Sequence, residues 1–455
     1  MSVQESARES FFYWKGDWWF NLRDTCKATW DANVQKAQLF WEEAKTKWRE
    51  EGGAFLALFW VTATTSVWLG TGLFLPILFV VFGLLFSFAF VTYNLLAYSI
   101  YGLESIWLKI HGVYTLCPAC SRSAALPVFI CHCGTEHYCL RPTPRYGVFA
   151  RVCKCGEKLS TSTFLKRGRL GARCPHDDCQ APLSGEAYRP TTIALIGGTS
   201  AGKSMVRSIM ACWAWELCRQ WERVGWKCLD YEGGVPVSND GKEIEKIKER
   251  MRLGIKEEST QYEKKVQAIC INLKKPDVTF PLKLYFFDPA GESFGGDRSS
   301  EHFYYQHLRT VVIVIDPFSF AQVRQDFVNK LMPDISPSPN PPEGIFDNWL
   351  LNMEANHGGL EHRTKNVLCA VLINKTDVPG FEQKTGLRTG ASDQECQNFF
   401  LRCGLDNFIQ QVQKCNFREC RYFAVSTTGG VPLGQRFQPK EIENVMGWLL
   451  NHDLF

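Results

Sequence analysis

The string Gly197-Gly198-Thr199-Ser200-Ala201-Gly202-Lys203-Ser204 fits the pattern G-x-x-x-x-G-K-S, and it follows an apolar run, Ile193 to Ile196, that reads as a buried strand feeding a helix. Glycines at this spacing let the backbone turn so that successive N–H groups aim at phosphate oxygens. Lys203 adds a point charge and Ser204 a hydroxyl suited to Mg²⁺. This much indicates a nucleoside triphosphate. Much later, Asn374-Lys375-Thr376-Asp377 follows a second apolar run, Val367 to Ile373. Its polar residues are expected at the carboxyl end of a strand, where open α/β sheets bind ligands. A carboxylate such as Asp377 accepts both the ring N–H and the exocyclic amine of guanine, whereas adenine presents a ring acceptor there. A site built for those bonds is left with unpaired polar groups by the wrong base, so guanine is favoured.

Between the two strings lies Phe286-Phe287-Asp288-Pro289-Ala290-Gly291-Glu292, at the end of the strand-like run Leu282 to Phe287. It resembles the D-x-x-G switch of Ras-like GTPases. With the other two strings in this order, roughly the C-terminal 265 residues resemble the TRAFAC class of P-loop GTPases, its translation-factor-related branch. The resemblance implies hydrolysis of GTP to GDP, with Gly197, Gly198, Thr199, Ser200, Ala201, Gly202, Lys203 and Ser204 around the phosphates. It implies Mg²⁺ near Ser204, Asp288 and a switch threonine, for which Thr260 is the choice, and a γ-phosphate contact from the Gly291 amide. Lys203, Thr260 and Glu292 would be the catalytic groups. Asn374, Lys375 and Asp377 would read guanine, and Ser426, in Val425-Ser426-Thr427, would back the base.

The chain departs from that family at Glu292, where Ras-like proteins carry a water-positioning Gln. A carboxylate beside an anionic γ-phosphate makes intrinsic hydrolysis slow or dependent on an activator. It also sustains an alternative: a scaffold that binds GTP without turnover and recruits partners through its cysteine-rich modules. A plain loop threonine is the bland reading of Thr260.

The chain has 455 residues, 45% hydrophobic and 22% charged, with a net charge of +4. That leaves room for two or three domains and calls for no nucleic-acid partner. Alternating strand-like and helix-like segments after residue 189 predict a doubly wound, mostly parallel α/β sheet. Its helices are expected at Phe346 to Ala355, Asp393 to Gln413 and Pro439 to Leu450. The Pro-rich stretch Ser336 to Gly344 reads as a solvated connector, and the charged run Lys242 to Arg252 as a solvated helix.

Nineteen cysteines in a chain with a nucleotide site point to thiolate metal sites rather than disulfides. Cys117-x2-Cys120 precedes Cys131-x-Cys133, and Cys153-x-Cys155 precedes Cys174-x4-Cys179. Read in tandem, each quartet makes a closed tetrahedral Zn²⁺ ribbon. Cys139, His132 or His137 could replace a ligand, and metal binding would supply the folding energy of so small a module.

No charge occurs from Gly52 to Leu103. As helix that run extends about 78 Å at ~1.5 Å per residue, against ~30 Å of hydrocarbon, which predicts two spans joined at Gly70-Thr71-Gly72. Lys45, Lys47, Arg49 and Lys109 flank the run, so both ends are expected in the cytosol. Residues 11–50 carry six of the fifteen tryptophans, which suits an interfacial helix or a helix packed on another surface. The organisation is then an aromatic segment (1–52), a transmembrane hairpin (53–103), a double zinc ribbon (104–188) and a GTPase domain (189–455). Such a protein would sit in a membrane, the bacterial inner membrane by likeness of layout to bacterial GTPases suspected of conflict or defence roles. Its partners would be GTP and GDP, the bilayer, and an activator or other proteins.

Overall fold

A long uncharged run can satisfy its backbone away from water only by bonding internally, and here it does so as helix. The computed structural model describes residues 18–49, 53–144, 147–165, 167–256, 268–276, 278–288, 307–327, 337–357 and 364–451. Helix α1 spans Trp18–Arg49, α2 Ala54–Leu69 and α3 Leu75–Ile110. The chain does not reverse at Gly70-Thr71-Gly72. Gly70–Phe74 is a π-helical turn that carries α2 into α3, so that Ala57–Ile110 is one helix of 54 residues, long and apolar enough to cross a membrane. The expected hairpin is corrected accordingly, and so is the placing of both flanks on one side, which depended on a reversal. The physical reason is local. Gly70 keeps right-handed helical angles (φ −61°, ψ −50°), and the Thr71 hydroxyl donates back to the Val67 carbonyl at 2.7 Å instead of opening a turn. The reversal lies earlier, where α1 folds back on α2: Trp30 meets Trp68 edge-on at 5.8 Å, and Phe40 meets Trp60 at 5.0 Å.

The chain falls into two units. The first comprises Met1–Trp107, Val128–Ala172 and Ser184–Glu186. In it, a cysteine-bearing module grips the end of α3 through a buried ion pair. Glu104, 3% exposed, accepts from the Thr163 N–H at 2.8 Å and faces Arg167 at 3.2 Å. Arg167 also donates to the carbonyls of Leu140 and Thr161 and to the Thr163 hydroxyl, at 2.7 to 2.9 Å. Burial lowers the Arg167 pKa and the Glu104 charge opposes that shift. Arg141 donates to the Tyr101 hydroxyl at 2.8 Å, and the Phe164 ring meets Trp107 at a tilt, 6.4 Å between centroids.

The second unit comprises Leu108–Pro127, Arg173–Leu183 and Ala187–Phe455. Its seven main strands are β1 (Arg189–Gly197), β2 (Lys227–Cys228), β3 (Ile269–Lys274), β4 (Leu282–Phe287), β5 (Leu308–Ile315), β6 (Leu368–Ile373) and β7 (Glu419–Ala424). They form one sheet in the order β2-β3-β4-β1-β5-β6-β7. From β4 to β7 neighbours run parallel, while β2 and β3 pair antiparallel at one edge, so the sheet is mixed. Strands covered on both faces must be apolar at every position, and β1 shows how. Ile193 and Leu195 enter one core with Ile209, Met210 and Met446, while Ala194 and Ile196 enter the other with Trp349 and Phe400. The covering helices are α4 (Lys203–Gln220), α5 (Asn239–Arg252), α6 (Pro342–His357), α7 (Asp393–Arg402), α8 (Asp406–Lys414) and α9 (Ile442–Asn451). The single helix expected over Asp393 to Gln413 is therefore two, separated at 403–405. The charged run forms the exposed face of α5, whose first turn is capped by Ser238 accepting from the Gly241 N–H at 2.9 Å.

Breaking the Glu104–Arg167 pair strands a charge in a dry setting. Arg167→Ala is expected to destabilise the first unit by about 3–5 kcal/mol, and the apolar double replacement Glu104→Leu with Arg167→Met by less. Denaturant unfolding of the detergent-solubilised chain measures both, and equal losses would contradict a paired buried charge.

Candidate functional site

Parallel strands leave their carboxyl ends at one edge of the sheet, and order reverses around β1, which has β4 on one side and β5 on the other. The loops after β1, β4, β5, β6 and β7 carry, in turn, residues 197–204, Asp288, Asp316, residues 374–377 and Ser426. Sequence reading picked all of these except Asp316 and Thr376 as site residues.

The turn after β1 enters α4 through Gly202, which has φ +92°. A Cβ there would also stand 2.4 Å from the Asn374 Nδ2, so only glycine fits. That Asn374 nitrogen donates to the Ala201 carbonyl at 3.0 Å, which joins the string after β6 to the turn after β1. Asn374 is fully buried. Lys203 folds back across the turn, its Nζ donating to the carbonyls of Gly197 and Gly198 at 2.9 Å each. The Ser204 hydroxyl donates to the Asp288 Oδ2 at 2.6 Å, and Asp288 has no exposed surface. A hydroxyl and a carboxylate side by side at the start of a helix can share a divalent cation.

At the other end, Asp377 Oδ2 accepts from the Thr428 hydroxyl at 3.0 Å and from the Gly430 N–H, both in the loop after β7. Ser426 lies in the same loop, fully buried, its Oγ accepting from the Gly429 N–H at 2.7 Å. Lys375 pairs with Asp316 at 2.7 Å; that carboxylate also accepts from the Phe318 and Ser338 amides at 3.0 and 2.8 Å. Ser338 belongs to the Pro-rich stretch read as a solvated connector, yet it is 2% exposed. It presses on the phosphate-type turn, since a Cβ on Gly198 would lie 2.2 Å from the Ser338 Oγ. Asp316, Ser338 and Thr428 thus support the site without having been picked. The only signal for Asp316 was an acidic residue closing an apolar strand; Ser338 and Thr428 had none. Thr260, Gly291 and Glu292 lie outside the described residues.

The eight cysteines form two clusters that could each hold a metal ion, but they are nested rather than in tandem. Cys117 and Cys120 join Cys174 and Cys179, while Cys131 and Cys133 join Cys153 and Cys155, with ligand atoms within 4.8 Å of one another in each. The inner cluster is built from two like turns. The Cys131 N–H bonds the Thr135 carbonyl at 3.0 Å and the Cys153 N–H bonds that of Glu157 at 2.8 Å. His137 is buried with its Nε2 3.3 Å from the Cys153 sulfur, and His132 and Cys139 are exposed, so the four thiols need no substitute. The outer cluster has a second neighbour that sequence reading missed, His176, whose Nδ1 is 3.2 Å from the Cys174 sulfur. Burial pushes the Cys117 and Cys131 thiols up, and that of Cys174 to about 11. Hydrogen bonds from the Thr135 hydroxyl and amide bring Cys133 down to about 6. Any thiol among them that is still protonated must shed its proton to bind a cation.

The outer cluster belongs to the second unit and is docked on its sheet. Tyr285, on β4, donates to the Leu116 carbonyl at 2.9 Å, and the Ala268 N–H donates to the Pro118 carbonyl at 3.0 Å. Arg122 and Asp178 tie its two halves together as an ion pair. The stretch expected as one linker, 104–188, thus contributes to both units.

No known protein family matches this chain, and no curated protein matches it.

Zinc analysis of the intact chain is expected to give about two equivalents. Cys120→Ser combined with Cys174→Ser should remove only one of them, because both belong to one cluster. Loss of both equivalents would restore the tandem pairing.

Proposed function

We propose that this chain is a membrane-anchored GTP-binding protein that hydrolyses GTP to GDP as a conformational switch. One observation carries the reading: the Asn374 carboxamide is bonded to the Ala201 carbonyl, so the string proposed to read the base lies against the turn proposed to hold the phosphates. The chemistry of each end agrees with its assigned part. Residues 197–204 offer a glycine-bearing turn, a buried ammonium and a helix N-terminus for polyphosphate. Asp377 is held at one carboxylate oxygen by the Thr428 hydroxyl and the Gly430 amide, a fixed carboxylate of the kind that guanine's ring N–H and amine would need. Ser204 and Asp288 are the residues that would hold Mg²⁺, which supplies charge neutralisation on the phosphates.

In this reading Lys203 exchanges its two carbonyl contacts for phosphate oxygens, so bound nucleotide releases the turn from its own lysine. Thr260 and Glu292 keep their proposed roles as the switch threonine and the water-orienting group, within segments that leave β4 and precede β3. The outer cysteine cluster is suited to sense them. Pro118, between two of its ligands, is bonded to Ala268, just after the segment that contains Thr260. The helix Ala57–Ile110 supplies the anchor.

Lys203→Ala is expected to weaken GTP binding by at least about tenfold, and Asp377→Asn to weaken GTP while improving tolerance of xanthosine triphosphate. Calorimetric titration of each variant with the two nucleotides measures this; an unchanged base preference in Asp377→Asn would refute the carboxylate's role. Phosphate release from GTP, with and without membranes and lysate, then separates a switch from a binding scaffold, since a scaffold releases none.

A further inference from the structure

We propose that the module around the inner cysteine cluster, residues 128–172, docks on the anionic headgroups of the bilayer that the Ala57–Ile110 helix crosses; the proposal rests on the membrane-anchored reading above. Three independent features point to this surface.

The first is charge. Residues 128–172 hold eight Lys or Arg against two acids, Glu136 and Glu157, in a chain whose total is only +4. Arg167 is consumed by Glu104. Lys154 and Lys158 are exposed, at and beside the turn that carries Cys153 and Cys155. A closed four-thiolate zinc centre would subtract two charges and leave the module basic.

The second is exposed apolar surface of the interfacial kind. Ala150–Val152 pairs with Lys158–Ser160 so that Val152 stands opposite Lys158, both exposed, while Leu159 turns inward. The adjoining Phe149 is 57% exposed, and Phe164 and Leu165 are 58% and 45% exposed. Thr161 holds the two segments together, its N–H bonding the Phe149 carbonyl at 3.2 Å and its hydroxyl that of Val148 at 2.7 Å. Exposed aromatic rings beside exposed lysines suit the layer where hydrocarbon meets headgroups.

The third is position on the helix. The module is fixed at Tyr101, Glu104 and Trp107, and the helix around it stays apolar and exposed at Leu103 and Ile106. Between the Trp68 level, where α1 packs, and Tyr101 lie about thirty residues. As helix the 33 positions from one to the other rise ~50 Å, slightly more than the ~40–45 Å of a bilayer with its headgroups, a difference that a modest tilt takes up. Glu104 is the first ionisable residue past the uncharged run, and the module hides and neutralises it, as a carboxylate near lipid requires. Anionic phospholipid is therefore the occupant that fits the cations, the rings and the depth together.

Hydrogen exchange of the full chain tests this in detergent, in nanodiscs of neutral phosphatidylcholine, and in nanodiscs that also contain phosphatidylglycerol. Residues 70–100 should be protected in both discs. Residues 148–165 should exchange about tenfold more slowly in the anionic discs than in the neutral ones. Lys154→Glu with Lys158→Glu should abolish that difference while zinc content and the protection of 70–100 persist. Equal exchange of 148–165 in all three settings, with 70–100 protected, would overturn the proposal alone. Unprotected 70–100 would overturn the membrane reading beneath it. Slowing by a single-stranded oligonucleotide in detergent, without any lipid dependence, would reassign the basic face to nucleic acid.

Discussion

The candidate site depends on one hydrogen bond and the space left for it. Asn374 reaches the Ala201 carbonyl only because position 202 carries no side chain, and the same left-handed residue lets the turn enter α4. That contact fixes two loops, more than 170 residues apart in sequence, directly against each other. It is bought by burying a carboxamide completely, and the surrounding strands β1, β5 and β6 provide the dry, rigid frame in which such a bond is strong.

Around this contact the loops brace one another. The buried Asp316 gathers the Lys375 ammonium and two amides, so a carboxylate with no exposed surface is matched on both oxygens. Through Ser338 the same carboxylate draws the Pro-rich stretch against Gly198. Asp377 is held by the loop after β7 through one of its oxygens. The proposed nucleotide would thus meet side chains whose geometry is already set, and the group that must rearrange is Lys203, bonded to its own turn. On the far side of the chain's chemistry, nesting of the cysteine clusters has a mechanical consequence. The outer cluster closes a loop that begins before the inner one and ends after it, so it belongs with the sheet, while the inner cluster belongs with the apolar helix.

Much of this was legible in the sequence, for identifiable reasons. Strands buried on both faces give unbroken apolar runs, so β1, β4 and β6 could be placed to within a few residues, and with them the loops that bear most of the candidate site. The cysteine spacings announced metal-type turns because each turn is local. Pairing of the turns was not legible, since Cys120 meets Cys174 across 54 positions and no local pattern encodes that choice. The hairpin at Gly70-Thr71-Gly72 failed for a related reason. Glycine permits a turn without demanding one, and in an uncharged run continued helix satisfies every backbone group. Asp316 and Ser338 escaped notice because their importance lies in what they touch.

The most direct test of the central claim is a calorimetric titration of the unmodified full chain with GTP and with ATP in the presence of Mg²⁺. The account predicts about one GTP bound per chain and a strong preference over ATP. Absence of GTP binding, or equal binding of both nucleotides, would show that residues 197–204 and 374–377 do not together hold a guanine nucleotide.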